Sequence, residues 1–291
     1  MPGTKDRPEN GERIVLPVRA VDIFRILSVR KVVTNDAFVG ALSRQFETFL
    51  RQVRQTPRLD KSNRDDFLSY THPHESKQIT KRRKNMSEQE LCSASKGFMG
   101  SVGKNSPIGR VLDYQVPLEE RRGTGEGKVD LISLKGDTIY VIEAKKWDSK
   151  EHPLRAMLEA LTFWLELIDE DENENGNLRS QQLQCKKPLR GNARLFAQRY
   201  CESAYANPAF GEADAKFLRN ACLKPAILLR KNSPIYDTLC ERPTRPDRAL
   251  YDQILDFVRC FSYSAKENES QVTIEEFFPK KIWGNTPGSA V

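Results

Sequence analysis

The stretch GKVDLISLKGDTIYVIEAKKW, Gly127 to Trp147, reads as a β-hairpin. Lys128 to Leu134 is one strand, rich in Val, Ile and Leu, and Thr138 to Lys145 is the other, an apolar run with β-branched and aromatic residues. Between them a two-residue loop, Gly136-Asp137, puts glycine at the first central position, where a type II′ turn needs a positive φ. If Lys135 pairs with Thr138, opposed residues have numbers that sum to 273, and Asp130 lies across from Glu143. Directly opposed residues point to the same face with Cβ atoms roughly 5 Å apart. The two-residue period of a strand adds Lys145 to that face. A local turn therefore gathers two carboxylates and one ammonium in an otherwise apolar sheet.

Two adjacent carboxylates repel one another, and on so apolar a strand the pair is costly unless a cation neutralises it. A hard divalent ion suits oxygen ligands of this kind. Mg²⁺ usually takes one or two carboxylates, keeps several waters and borrows substrate phosphates. Lys145 adds a positive charge beside such an ion, suited to orienting a water or stabilising a pentavalent phosphate. The competing reading is an edge hairpin whose Glu143 and Lys145 form a solvated cross-strand patch.

Asp130, a gap of twelve residues, then Glu143-Ala144-Lys145 resembles the PD-(D/E)xK phosphodiesterase superfamily of restriction-endonuclease-like nucleases. The motif is short, but the order of the flanking elements extends the resemblance over most of the second half of the chain. Val129 stands where the pattern has proline. The resemblance implies an α/β fold: an αβββαβ core with a mixed sheet of four or five strands flanked by helices, here with a helical N-terminal extension. It implies that Asp130 and Glu143 ligate Mg²⁺ or Mn²⁺, that the Ala144 carbonyl is a further ligand, and that Lys145 is the catalytic lysine. It implies metal-dependent hydrolysis of phosphodiester bonds in nucleic acid, with DNA favoured over RNA. The rival from another class is an inactive nucleic-acid-binding or scaffold module that keeps the fold.

Composition is that of an ordinary globular protein, 30% charged and 38% hydrophobic over 291 residues. No apolar run approaches the ~18 residues of a membrane span, and the polar N-terminus, MPGTKDRPENGER, lacks a signal-peptide apolar region. Six widely spaced cysteines without a CxxC argue for reduced thiols and a cytoplasmic setting rather than for zinc. His72 and His74 flank Pro73 in a polar loop and supply no zinc site. The net charge of +7 is unevenly spread. Residues 1–110 hold 21 Lys/Arg against 12 Asp/Glu, a net of +9, and the remainder holds 26 against 28, a net of −2. A basic half before a near-neutral one fits capture of a polyanion followed by chemistry; a generic solubilising surface fits equally.

Residues 1–12 read as a disordered tail and 13–108 as a basic, mainly helical N-terminal region. Within it, Ala37 to Val53 is predicted as an amphipathic helix capped by Thr34-Asn35-Asp36. The segment Val21 to Leu27 is strand or helix. The run Lys81-Arg82-Arg83-Lys84 suits phosphate contacts, a nuclear address, or simply a solvated loop. Ser87-Glu88-Gln89-Glu90 is a capping box. Glu47, Glu88, Glu90 and Glu126 are candidates for an additional acidic residue at the site. Residues 109–265 would be the core, opening with a strand over Gly109 to Glu119. Arg121 and Arg122 in the glycine-rich RRGTGEG turn are candidate phosphate contacts.

After the hairpin, Pro153 marks the first turn of a helix to about Ile168 with a narrow polar stripe of Arg155, Glu159, Thr162 and Glu166. A helix this apolar should pack on the sheet. The family often draws a polar residue from that helix, which points to Arg155 and Glu159, although an i,i+4 ion pair accounts for them more simply. The acidic run Asp169 to Asn177 is a solvated loop. A helix over about Asn192 to Ala204, a strand over Pro225 to Lys231, a helix over Ala249 to Val258 and a possible fifth strand over Arg259 to Ser264 follow. Arg230 and Lys231 are placed to meet substrate. Residues 266–291 read as a C-terminal tail in which Ile274 to Trp283 has enough apolar content to dock.

Overall fold

In a computed structural model the described residues are 36–44, 46, 48, 106–117, 128–146, 148–149, 151–167, 196–197, 221–241, 243, 245–265 and 272–284. The hairpin forms as its turn dictates. Strand β2, Lys128–Lys135, and strand β3, Thr138–Lys145, pair antiparallel from Lys135↔Thr138 to Leu131↔Ile142. Gly136 has φ +57° and Asp137 stays out of the left-handed region, the signature of a type II′ turn. The register is therefore the one that opposes Asp130 to Glu143.

Strand β1, Arg110–Pro117, lies antiparallel to β2 and carries an irregularity between Val111 and Asp113. Just before it Gly109 has φ +69°, and a Cβ there would come 2.1 Å from the Leu134 carbonyl oxygen. Only glycine allows so close an approach of two backbones.

Helix α2, Pro153–Leu167, carries the chain from β3 to strand β4, Cys222–Arg230, which lies parallel to β3. Parallel neighbours need such a crossover. The helix packs on β3 and β4 because nearly all of it is apolar: Leu154, Met157, Leu158, Leu161, Trp164, Leu165 and Leu167 are buried. Each large side chain buried in this way contributes about 1.5–3 kcal/mol. The indole of Trp164 donates to the Leu223 carbonyl at 2.8 Å, tying the helix to β4.

Strand β5, Arg259–Ala265, is parallel to β4, and strand β6, Val272–Glu276, is antiparallel to β5, so the sheet runs β1 to β6 in sequence order. Helix α1, Asp36–Arg44, packs against helix α4, Arg245–Leu255. Helix α3, Pro234–Cys240, is capped by Ser233, whose hydroxyl accepts from the Tyr236 N–H. The molecule is thus α/β, with a six-stranded mixed sheet and flanking helices.

Two expectations change. The sheet has six strands, not four or five, and residues 272–284 are not a tail: β6 closes the sheet and the short helix α5, Pro279–Gly284, buries Trp283, whose indole donates to the Leu239 carbonyl at 3.1 Å. The expectation of reduced thiols holds for Cys240 and Cys260, which are free, but Cys222 is disulfide-bonded, so the cysteines no longer argue for a compartment. None of the described helices is long and apolar enough to cross a membrane. The readings of residues 1–12, Val21 to Leu27, the Lys81–Lys84 run, the capping box at Ser87, the RRGTGEG turn, the acidic run and most of Asn192 to Ala204 lie outside the described residues.

Candidate active site

Alternation along β3 decides which side chains meet. Ile139 and Val141 join the apolar layer beneath α2, while Ile142 and Ala144 belong to the opposite face. Glu143 and Lys145 continue the odd series and point toward α2. The backbone ladder of the hairpin ends at Leu131↔Ile142. Immediately beyond, the Ala144 N–H donates to Asp130 Oδ2 at 2.9 Å, so the carboxylate of β2 takes the place of a ladder acceptor. Asp130, Glu143 and Lys145 are 7%, 7% and 3% exposed.

The helix supplies the rest. Glu151 lies two residues before the start of α2, and Arg155 and Glu159 follow at spacings of four, within reach of one another along the helix. Lys145 Nζ lies 2.8 Å from Glu143 Oε1, 2.9 Å from Glu151 Oε2 and 3.1 Å from Glu159 Oε2. The contact to Glu151 is a charge contact without hydrogen-bond alignment, whereas that to Glu159 is a hydrogen bond. Arg155 Nε donates to Glu159 Oε1 at 2.9 Å, and Arg155 Nη1 lies 3.4 Å from Glu151 Oε1. From β5, the Tyr263 hydroxyl donates to the Lys145 carbonyl at 3.4 Å.

The two glutamates of this cluster are driven in opposite directions. Burial and the neighbouring carboxylates Asp130 and Glu159 raise the proton affinity of Glu143 well above the ordinary carboxyl range, against the pull of Lys145. Burial disfavours the charged form of Glu159 as well, but the charges of Lys145 and Arg155, with side-chain hydrogen bonds to Glu143 and Arg155, outweigh it and hold that carboxyl below its ordinary range. Glu159 is therefore the settled anion of the ion-pair network, and Glu143 is the carboxylate still short of positive charge. Opposed, buried oxygen ligands beside an ammonium match the needs of a hard divalent cation, which Mg²⁺ satisfies with one or two carboxylates plus waters. Among the described residues no group of three or more His, Cys, Asp or Glu is arranged to hold a metal, so a cation here would rest on two carboxylates, a backbone carbonyl and water.

Asp130, Glu143, Lys145 and Arg155 thus come together, and Ala144 lies between them with its N–H bound to Asp130. Arg155 makes the i,i+4 pair with Glu159. Lys231 is drawn away to Glu275, 2.6 Å distant at an exposed site. Arg230 ends β4 next to Leu229, the partner of Lys145, and so shares the same end of the sheet. Lys81, Arg82, Arg83, Lys84, Arg121, Arg122, Glu47, Glu88, Glu90 and Glu126 lie outside the described residues. Two acids, half-buried Glu151 and buried Asp113, escaped the sequence reading. Glu151 looked like part of a helix start, and nothing local says that it folds back onto Lys145. Asp113, fully buried in β1 with its carboxylate accepting from the Tyr114 N–H at 2.8 Å, carried the same signal as Asp130, a lone acid in an apolar strand.

No family model matches the chain, and neither the curated proteins nor the solved structures contain a match to it.

Proposed function

We propose that this chain is a metal-dependent nuclease with a restriction-endonuclease-like core, hydrolysing phosphodiester bonds with DNA as the favoured substrate. The observation that carries the reading is the convergence of buried Asp130, Glu143 and Lys145 at the end of one hairpin, in a β1-β2-β3-α2-β4 order with β4 parallel to β3. A cost of this kind in an apolar sheet calls for a use.

Asp130, Glu143 and the Ala144 carbonyl would hold Mg²⁺ or Mn²⁺. The chemistry such an ion supplies is acidification of a coordinated water and polarisation of a phosphate oxygen. Lys145 orients the attacking water and stabilises negative charge developing on the phosphate. Glu151 and Glu159 fix the ammonium, and Arg155 in turn fixes Glu159. Lys81, Arg82, Arg83, Lys84, Arg121 and Arg122 would contribute phosphate contacts that position the strand without reading its sequence.

The test is incubation of the purified chain with single- and double-stranded DNA and RNA in Mg²⁺, Mn²⁺ or EDTA. Cleavage should require metal and should fall by about 10²-fold or more in Glu143→Gln, the scale for removing one transition-state-stabilising group. Binding of nucleic acid without cleavage, equal in wild type and Glu143→Gln, would hand the protein to the binding-module reading.

A further inference from the structure

We propose that a second site, at the opposite end of the sheet, binds a 5′-phosphorylated nucleotide. The site is a cavity of about 500 Å³ whose walls include Lys224 of β4, Arg259 of β5, Glu276 of β6, and Phe278, Lys280 and Lys281 at α5. That volume falls within the roughly 300–1,000 Å³ of small-ligand pockets. Lys224 pairs with Tyr140, five residues back along β3 from Lys145, which at ~3.3 Å per residue is ~17 Å. Lys224 also alternates with Ala226 and Leu228, on the face away from α2. Phe257, Val258, Cys260 and Phe277 of the cavity wall belong to the core on the α2 side, so the cavity opens at the end of the sheet rather than on one face. The two sites lie at opposite ends, and the proposal does not depend on the nuclease reading.

Charge bookkeeping around the cavity names the ligand. Arg259 Nη1 is 3.4 Å from Glu276 Oε1, and Lys280 Nζ is 2.8 Å from Asp256 Oδ1, so these cations are matched by carboxylates of the same wall. Lys224 and Lys281 have no carboxylate within ion-pair distance among the described residues. Burial and the adjacent Arg259 lower the proton affinity of Lys224, despite the opposing pull of Glu276; an anion in the cavity would relieve that strain.

The apolar part of the ligand has its own partner. Phe278 is the one large apolar side chain exposed among the described residues, at 41%, and Lys281 Nζ lies 4.5 Å from its ring centroid. A planar base packed on Phe278 would share the cavity with Lys281 and Lys224, uniting an aromatic contact with two ammonium groups that have no carboxylate partner there.

The experiment is isothermal titration of the full chain in EDTA with AMP, adenosine, pyrophosphate and a 5′-phosphorylated hexadeoxyadenylate. AMP or the oligonucleotide should bind saturably, and adenosine at least tenfold more weakly. Lys281→Gln, at an exposed position, and Lys224→Gln should each weaken binding at least fivefold, and Phe278→Ala should weaken the nucleotides but not pyrophosphate. Glu143→Gln, at the other site, should leave the affinity unchanged. Preference for AMP identifies a free nucleotide, and preference for the oligonucleotide identifies the end of a strand; both support the site. Absence of saturable binding by either phosphorylated probe, or binding indifferent to Lys281→Gln, overturns it.

Discussion

Replacing Lys145 by Met removes a charge while keeping most of the side-chain volume, and the structure says what that should cost. The ammonium is almost fully buried and lies 2.8, 2.9 and 3.1 Å from three carboxylates. At about 3 Å and an effective dielectric constant of about 20, each such pair attracts by about 5 kcal/mol before desolvation is counted. Desolvation cancels most of that sum, but removing one partner leaves the others buried without it, and such losses run to about 3–5 kcal/mol. Lys145→Met should therefore destabilise the metal-free protein by about that amount. Glu143→Gln should be near neutral, because the lost contact with Lys145 is offset by relief from Asp130 and by the contacts Lys145 keeps with Glu151 and Glu159. Urea unfolding in EDTA at pH 7 measures both. In the double variant part of the Lys145→Met loss should return, since one of the stranded carboxylates is gone. A Lys145→Met protein within ~1 kcal/mol of wild type, the value of a solvated surface pair, would refute the buried network.

Three further outcomes follow from other parts of the molecule. In EDTA, Glu143 with its raised proton affinity weakens the folded state above the unfolded carboxyl value, and that penalty disappears as pH falls through the folded value; stability measured by urea unfolding should therefore rise from neutral pH toward mildly acidic pH in wild type and lose that component in Glu143→Gln. Mn²⁺ should raise the melting temperature of wild type and of Arg155→Gln but not of Asp130→Asn, read by scanning calorimetry; equal shifts in all three would place the ion elsewhere. Gly109→Ala should destabilise by about 3 kcal/mol, since its φ of +69° and a Cβ 2.1 Å from the Leu134 oxygen force the backbone to move, whereas Gly136→Ala, with φ +57° and open space, should cost only about 1 kcal/mol in the same unfolding assay.

How much of this was legible in the sequence depended on the range of the interactions involved. The hairpin is local: glycine at one turn position selects the turn, the turn fixes the register, and the register opposes Asp130 to Glu143 and sets Lys145 beside them. The apolar face of α2 is local too, because helical spacing repeats within the element. β6 was missed because Val272–Glu276 is only five residues long with a single buried one, Ile274, and its strand character comes from pairing with β5 rather than from its own composition. Glu151 was missed for a different reason. It reaches Lys145 only because the chain entering α2 turns back over β3, a tertiary fact with no signature in the five residues between them. That turn changes the meaning of Lys145. In the sequence Lys145 stands only beside two opposed carboxylates of the hairpin. With Glu151 and Glu159 closing around it, the same ammonium also neutralises acids before and within α2. Lys145 thus joins two roles that separate experiments can divide. Its charge holds α2 to β3 in the absence of any ligand, and under the proposed function its position next to Glu143 suits it to act on a phosphate. Unfolding in EDTA isolates the first role, and cleavage under conditions where the variant remains folded isolates the second.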